Sequence, residues 1–458
     1  KIDLTGAVTV VDVAPIKGQS LSSGSPIQAL QGRVPGLFVE KSGNPNGANS
    51  RILIRGVTTL GDNSPLYVID GVPMVTEDNS NLFTGGYQFS SISDINPNDI
   101  ASIQVLKDAS ATAIYGSRGS NGVVIVTTKS GKTGDLRVDF SFWSSIGQVT
   151  RRLDMLNAGE FASVVNLTDA QAQTTPTFSD AEIQNIRNAG PGTNWQDEIF
   201  QTAITQNYSV ALSGGSEKLK YRFSVNHLDQ PGTLVNQSFK RTTFRSNLDF
   251  RFNDKLDLKV NLTGFQAKAR NANYGGGLSD PFGQATIWNP ISPVFDENGD
   301  YVEKTGLASI GFNPVAEANN RINDFGEKNF AATTSLNWKI VDNLTFTTTN
   351  AYTTFSNLTS DFRGLLTDTG NINGAARAFQ QNNEGYSFLN SNYFTYKNIF
   401  GAHSVNLTAL YEQQVNEGFD FRANAFDLST EANGFYNLGL GGSQQISSGF
   451  ADSSLESY

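Results

Sequence analysis

The feature that most constrains the fold is an alternation of apolar and polar residues that begins near residue 136. In residues 256–263, every second residue is apolar and the residues between are polar or charged. Successive side chains of a β-strand point to opposite faces, so this pattern predicts strands with one apolar and one polar face. Nine segments carry it, and residues 455–458 indicate the start of a tenth. The nine are 136–148, 203–213, 218–229, 244–252, 256–263, 328–340, 344–355, 385–398 and 405–411.

Short and long connections alternate between these segments. The tight links are 214–217, 253–255, 341–343 and 399–402, and the long ones are 150–202, 230–239, 270–327, 357–384 and 417–455. Tight turns on one side and long loops on the other are typical of an outer-membrane β-barrel. An open sheet edge cannot face lipid, so we expect further strands beyond residue 458. With no signal peptide before Lys1, we also expect a processed or truncated chain.

Charge and chemistry exclude several classes of protein. A net charge of −10 without a basic stripe disfavours nucleic-acid binding, and the absence of cysteine excludes disulfides and thiolate sites. His227 and His403 lie on separate strand patterns, and we find no nucleophile–base set or phosphate-binding loop, so neither an enzyme nor a cofactor is expected. Asp296, Asn298 and Asp300 resemble a short calcium loop without its final glutamate, and a hairpin tip is the favoured interpretation.

Residues 26–134 have a different texture, that of a compact α+β domain. Short apolar runs bounded by turn residues predict strands at 51–55, 66–70, 103–107 and 123–128. Helices are predicted at 26–31, with Ser25 as N-cap, and at 108–115, closed by Gly116. Two further helical segments, 157–166 and 179–189, fall in the first long loop, where they are candidates to pack on a partner.

Six motifs in this domain follow one another in the order seen in the plug of TonB-dependent receptors, which the domain resembles. They occupy residues 29–36 (ALQGRVPG), 52–56 (ILIRG), 65–73 (PLYVIDGVP), 96–100 (NPNDI), 103–108 (IQVLKD) and 113–129 (AIYGSRGSNGVVIVTTK). The amino-acid sequences of residues 106–111, 114–118, 193–197 and 213–217 are similar to those of the SusC/RagA branch of the family. With the barrel pattern, the resemblance covers nearly the whole chain.

The resemblance implies an organisation and a function. Residues 1–25 would be a lead-in segment and residues 26–134 the α+β plug. Residues 135–458 would form the first nine or so strands of an all-β, antiparallel transmembrane barrel. In complete transporters this barrel has about 22 strands. The resemblance implies import of an oligosaccharide or oligopeptide through the outer membrane of a Gram-negative, Bacteroidetes-type bacterium, where the barrel is surrounded by outer-membrane lipid. It also implies two partners, TonB, which supplies the energy, and a SusD-like surface lipoprotein. A signalling receptor and a passive porin are the alternatives; no TonB box or upstream signalling domain is visible.

Plug residues matching the family's motifs are candidates for gating. They are Arg33, Gly36, Arg55, Gly56, Asp70, Gly71, Tyr115, Gly116 and Asn121. For Arg55 the functional interpretation is a lumenal arginine paired with barrel-wall carboxylates, and the alternative is a solvated strand end. Asp70 and Gly71 have the composition of a turn, and Tyr115 that of a helix end with an anchoring ring.

Three plug loops are candidates to meet substrate. They carry Asn44, Asn46, Asn63, Phe83, Tyr87 and Phe89. Aromatic rings that stack on sugars, together with amides that bond hydroxyl groups, would suit a glycan, and the same set would suit a peptide. Ordinary hydrophilic loops remain an equal alternative.

Overall fold

The computed structural model describes residues 8–11, 30–40, 51–57, 63–74, 95–271, 277, 280–302, 312–367, 374–401 and 403–457. These residues form two units, a small α+β plug and a large antiparallel sheet. Within these ranges, no helix is both long and apolar enough to cross a membrane.

The plug is built on a five-stranded sheet and a separate strand pair. Its strands are β1 (Val8–Val11), β2 (Leu37–Glu40), β3 (Arg51–Ile54), β4 (Leu66–Ile69), β5 (Val72–Pro73), β6 (Ile100–Leu106) and β7 (Val123–Thr128). The sheet order is β1-β6-β7-β4-β5, with β4 and β7 parallel and the other pairs antiparallel, while β2 pairs with β3. Ile103, Val105, Val124 and Val126 are completely buried and form the centre of its core.

The predicted plug strands are confirmed, with small differences at their ends. One addition is β1, which pairs with β6 and makes this part of the predicted lead-in segment a strand of the plug sheet. The predicted helix at 108–115 is a short helix α1 (Ala109–Thr112) followed by a 3₁₀ turn over Ala113–Gly119. The predicted helix at 26–31 lies almost entirely outside the described residues.

The second unit is a ten-stranded antiparallel sheet in which every strand pairs with its neighbours in sequence. Its strands are β8 (Gly134–Gly147), β9 (Ala203–Gly215), β10 (Leu219–Pro231), β11 (Ser238–Asn253), β12 (Leu256–Arg270), β13 (Arg321–Val341), β14 (Leu344–Arg363), β15 (Arg377–Phe400), β16 (His403–Leu428) and β17 (Gly441–Ser457). The nine predicted strands are all present, and a tenth follows them. This sequential meander is the wall of an up-and-down barrel.

The lengths of most wall strands were underestimated from the sequence. In β12 the predicted strand stops at residue 263, whereas the pairing continues to Arg270. Leu258, Val260 and Leu262 are partly exposed on one face, but Phe265 and Ala267 are buried on the other. The apolar face therefore changes sides near Gly264, and a single alternating pattern cannot follow the strand through that change.

Connections on the tight side agree with the sequence, and four of the five on the long side are shorter than predicted, the exception being the first, residues 148–202. The tight links reduce to residues 216–218, 254–255, 342–343 and 401–402. The predicted link 417–455 is wrong, since β16 continues to Leu428 and β17 begins at Gly441. Only residues 429–440 connect these two strands.

The first and third long links fold into a small helical layer. Helices α2 (Ala158–Gln171) and α3 (Asp180–Ala189) confirm the two predicted helical segments, and each begins with a capping box. Three shorter helices follow, α4 (Trp195–Ile199), α5 (Pro281–Ile287) and α6 (Pro314–Asn320). Trp195 meets Trp288 edge to face at 6.3 Å, so the two links share an apolar core.

The suspected calcium loop is a hairpin tip. Phe295 and Tyr301 form an antiparallel bridge, and Gly299 takes a positive φ of 87° at the turn. Backbone amides of Asp300 and Asn298 donate to the Asp296 carboxylate, and these hydrogen bonds lower the pKa of that group. The favoured interpretation from the sequence is confirmed.

Candidate functional site between plug and wall

The plug meets the wall on the inner face of β10 and β11. On β10, Arg222 and Ser224 are buried while Phe223 is exposed on the other face. On β11, Arg245 and Asn247 are likewise buried. Arg222 lies directly opposite Asn247, and Ser224 opposite Arg245, so the four side chains form one polar patch.

Asp99 binds one half of this patch. It ends the 3₁₀ turn Pro97–Asp99, which Asn96 caps before β6 begins. Its carboxylate accepts a hydrogen bond from Arg222 Nη2 at 3.0 Å and one from Ser224 Oγ at 2.8 Å. The Arg222 and Asp99 side chains are only 10% and 5% exposed, so this is a buried ion pair that is largely shielded from bulk water.

Asp70 binds the other half. It lies in the turn between β4 and β5, and its carboxylate accepts Arg245 Nη1 at 2.7 Å. The same carboxylate accepts the backbone N–H and the hydroxyl of Thr128, both at 2.8 Å. Asn247 donates to the Thr128 hydroxyl at 2.9 Å and to the Lys129 carbonyl at 2.8 Å. These hydrogen bonds and the ion pair thus join the end of β7 to the Asp70 turn and bind both to the wall.

The chain leaves the plug in close contact with the same strands. Gly131 is buried, and a Cβ atom there would lie 2.4 Å from the Tyr221 carbonyl oxygen and 2.5 Å from its nitrogen. Both are backbone atoms of β10, which cannot rotate away as a side chain could. Only glycine fits this contact.

We therefore predict that Gly131→Ala destabilises the docked plug by roughly 1–3 kcal/mol, the usual cost of overpacking. Thermal unfolding of the intact receptor measures this loss. Gly326→Ala is the matched control, because a Cβ at this strand glycine meets its nearest neighbour at an ordinary 3.9 Å. Equal melting temperatures for the two variants would contradict the prediction.

A second contact reaches the wall at β14, β15 and β16. Arg118 donates to Glu412 at 2.7 Å and to Gln414 at 2.9 Å. Val72 packs between Ala351 and Leu389. Here the plug supplies the cation and the wall the carboxylate, which is the reverse of the arrangement at Asp70 and Asp99.

The structure corrects the proposed role of Arg55. Its guanidinium forms an ion pair with Asp108 of the plug itself, and its side chain is 54% exposed. A plug arginine does pair with a wall carboxylate, but it is Arg118, which binds Glu412. Arg55 takes a positive φ of 64° next to Gly56, at 89°, so the chain turns at the end of β3.

The other motif residues shape the plug. Asp70 and Gly71 both have positive φ and form the predicted turn, as a two-residue hairpin requires. Gly36 and Gly116 also adopt positive φ. The Tyr115 ring packs beside the cluster of Leu66, Val68, Leu106 and Val123, and burial raises the pKa of its phenol.

The remaining candidates divide into described and undescribed residues. Arg33 and Asn121 are partly buried in plug turns. Asn63 is 5% exposed, which contradicts its proposed substrate-facing position, because a buried amide is engaged by the protein. Asn44, Asn46, Phe83, Tyr87 and Phe89 lie outside the described residues.

Most residues that carry the plug–wall contacts were not singled out from the sequence, among them Asp99, Arg118, Thr128, Arg222 and Arg245. The available signal was weak. Arg222 and Arg245 stand on the polar faces of alternating strands, where every lumenal residue gives the same pattern. Asp99 and Arg118 do lie within plug motifs, but neither has a spacing that marks an ion pair.

Comparison with solved structures places this arrangement in a class. The RagAB peptide transporter aligns with a TM-score of 0.80 at 23% identity, covering 98% of this chain and 52% of that one. The unliganded ferric citrate transporter FecA aligns with a TM-score of 0.56 at 12% identity. Residues 1–123 match the family model described as TonB-dependent Receptor Plug Domain. Fold and contacts together define a plug domain seated against the wall of a β-barrel.

Curated relatives narrow the class. TonB-dependent receptor P3 of Formosa agariphila is 31% identical over 440 residues, covering 93% of this chain and 40% of the relative. TonB-dependent receptor SusC of Bacteroides thetaiotaomicron is 34% identical over 307 residues, covering 66% of this chain and 28% of SusC. The chain belongs to the SusC/RagA-like TonB-dependent receptors. It spans less than half the length of these two relatives.

Proposed function

We propose that the protein imports a large nutrient across the outer membrane, with the plug as a gate that TonB remodels. The observation that carries the proposal is the chemistry of the plug–wall contact. Buried ion pairs at Asp70 and Asp99 and a partly buried one at Arg118 hold the plug, together with hydrogen bonds. Such pairs add little net stability over hydrated charges, yet losing one partner is costly. A contact of this kind can be rigid when closed and can separate when water enters.

The positions of the plug motifs support the gating role that we propose for them. Asp70 reaches the wall directly, whereas Arg55 pairs with Asp108 and Tyr115 packs beside a plug cluster. Arg33 and Asn121 lie in plug turns. Gly36, Gly56, Gly71 and Gly116 supply turns that other residues would strain. In this proposal, pulling on the plug loosens the β4–β5 turn and the end of β7 together, because Asp70 and Thr128 share their hydrogen bonds.

The location and partners belong to the same proposal. An outward belt of exposed rings and aliphatic side chains, including Phe140, Val210, Phe223 and Phe244, suits outer-membrane lipid. The relatives come from Formosa and Bacteroides, which supports a Bacteroidetes-type host. We propose TonB and a SusD-like surface lipoprotein as partners and an oligosaccharide or oligopeptide as substrate.

Uptake by cells carrying the intact receptor tests import. With the native substrate, we expect uptake to be lost when TonB is disabled, while a small solute that crosses through porins enters at an unchanged rate. Uptake that persists without TonB would contradict the proposal and favour a passive barrel.

A further inference from the structure

A row of three arginines crosses the inner wall at its long-loop end. Arg321 on β13 lies opposite Arg363 on β14, which lies opposite Arg377 on β15. The same strand faces carry Ala351 and Leu389, which contact the plug, so the row faces the lumen. Like charges directly opposite each other destabilise a sheet, so folding gains nothing from this row.

Carboxylates in the described part of the chain pair with two of the three. Arg321 bonds Asp280 at 2.8 Å and lies 3.8 Å from Glu317. Arg363 bonds Asp361 at 3.1 Å, and Asn323 donates to the same carboxylate. Arg377, which is partly exposed, forms no ion pair with any described residue, although it lies in the field of Asp361.

A second arginine, Arg422 on β16, lies on the same lumenal face, four residue positions from Arg377 in the register of β15 and β16. The Arg422 guanidinium lies 4.9 Å from the centre of the Phe379 ring and donates to Asn424 at 3.1 Å, again without an ion pair in the described structure. Phe379 is two residues from Arg377 on β15, and Gln381, which lies opposite Arg422, is two residues further on, so Phe379 lies between the two arginine positions along one face. Stacking on a ring holds a guanidinium in place while leaving its N–H donors available.

Arg377 and Arg422 lie nearer the long-loop end of the wall than the plug contact does. Arg422 is eight residues from Gln414, which binds Arg118, a distance of roughly 25 Å along the strand. Around it the lumenal face is rich in amides, with Gln381 directly opposite Arg422 and Asn424 beside it. Amides donate to and accept from hydroxyl groups, whereas guanidinium groups bind carboxylate and sulfate in a fixed fork.

We propose that Arg377, Phe379 and Arg422 form a lumenal subsite for an acidic oligosaccharide, one that carries carboxylate or sulfate groups on a hydroxyl-rich chain. This inference rests on the proposed import function and narrows its substrate class. The guanidinium groups bind the anion, and the neighbouring amides bind hydroxyl groups. The amide-rich surroundings favour a glycan over an acidic peptide.

Binding to the intact, purified receptor tests the subsite without TonB, so its result is independent of the import test. The probes are tetragalacturonate and its neutral methyl ester, a sulfated galactan tetrasaccharide and its desulfated form, and hexaglutamate. We expect one or both acidic sugars to bind at least tenfold more tightly than their neutral counterparts, and the two arms identify the anion. Arg377→Gln and Arg422→Gln are each expected to weaken that binding about tenfold, as loss of a charged hydrogen bond does.

Controls separate recognition from folding. Arg377→Lys and Arg422→Lys keep the charge and are expected to retain part of the affinity. Arg251→Gln removes an arginine at the tight-turn end, where it pairs with exposed Asp254, and is expected to leave binding unchanged. Equal binding of acidic and neutral sugars, or no effect of either glutamine variant, would overturn the proposal. So would arginine-dependent binding of hexaglutamate alone, which would assign the subsite to acidic peptides.

Discussion

Asp99→Ala is expected to lower the stability of the docked plug by about 3–5 kcal/mol, the cost of leaving a buried charge without its partner. The Arg222 guanidinium would remain enclosed by plug and wall, and the Ser224 hydroxyl would lose its acceptor. Resistance of the plug to protease in the intact receptor, followed through thermal unfolding, measures the loss. Steady ion conductance through the barrel is expected to rise as the plug leaves its seat more often.

Two variants give this prediction its controls. Arg55→Ala removes a charge from the exposed Arg55–Asp108 pair and is expected to cost less than about 1 kcal/mol. The double variant Asp99→Ala/Arg222→Met replaces the pair with apolar groups and is expected to recover most of the stability, since the stranded charge is gone. If the double variant is as unstable as Asp99→Ala alone, the loss does not come from the unpaired arginine.

Asp70→Ala is expected to have an effect of similar size, again about 3–5 kcal/mol for the buried partner left behind. Its carboxylate accepts three hydrogen bonds, one from Arg245 and two from Thr128. Asp70→Asn keeps an acceptor oxygen and a residue that tolerates the positive φ of 50°. We therefore expect the asparagine variant to lose roughly half as much, in the range of about 1.5–3 kcal/mol for one charged hydrogen bond.

The two aspartate sites are also expected to depend on each other. Their wall partners are cross-strand neighbours, with Arg222 opposite Asn247 and Ser224 opposite Arg245. Residues this close seldom contribute independently. In a double-mutant cycle of Asp70→Ala and Asp99→Ala, we expect an interaction energy of about 0.5–3 kcal/mol. Strict additivity would show that the two halves of the patch act separately.

The sequence was informative where one physical rule governs a whole segment. Period-two alternation located the wall strands because lipid on one side and water on the other require it, as at Leu258 and Val260. The alternation failed to predict the strand ends that lead into the long loops. In β12 the partly exposed apolar residues Val260 and Leu262 give way to Phe265 and Ala267, which are buried on the opposite face. A test that seeks apolar residues on one fixed face ends the strand at that point.

The site was predicted less well for a related reason. The motif containing Arg55 identified the plug, but pairing depends on which side chains the wall presents at that height. Which wall side chain meets the plug depends on the register of the wall strands. Arg245 and its plug partner Asp70 are 175 positions apart in the chain. No local pattern encodes a contact over such a distance. Asp70 was assigned to a turn, which is correct, and its second role as an anchor required the three-dimensional structure.

The reversed polarity of the two plug–wall contacts has a consequence for assembly. On β10 and β11 the plug offers carboxylates to wall arginines, while on β16 it offers Arg118 to a wall glutamate. A plug that entered the barrel rotated about its axis would bring Asp70 or Asp99 toward Glu412, and Arg118 toward Arg222 or Arg245. Each such encounter places like charges together in a poorly hydrated seam, at a cost of several kcal/mol. Like charges would therefore oppose a rotated plug, so the residues that hold the plug against the wall also favour a single orientation of it.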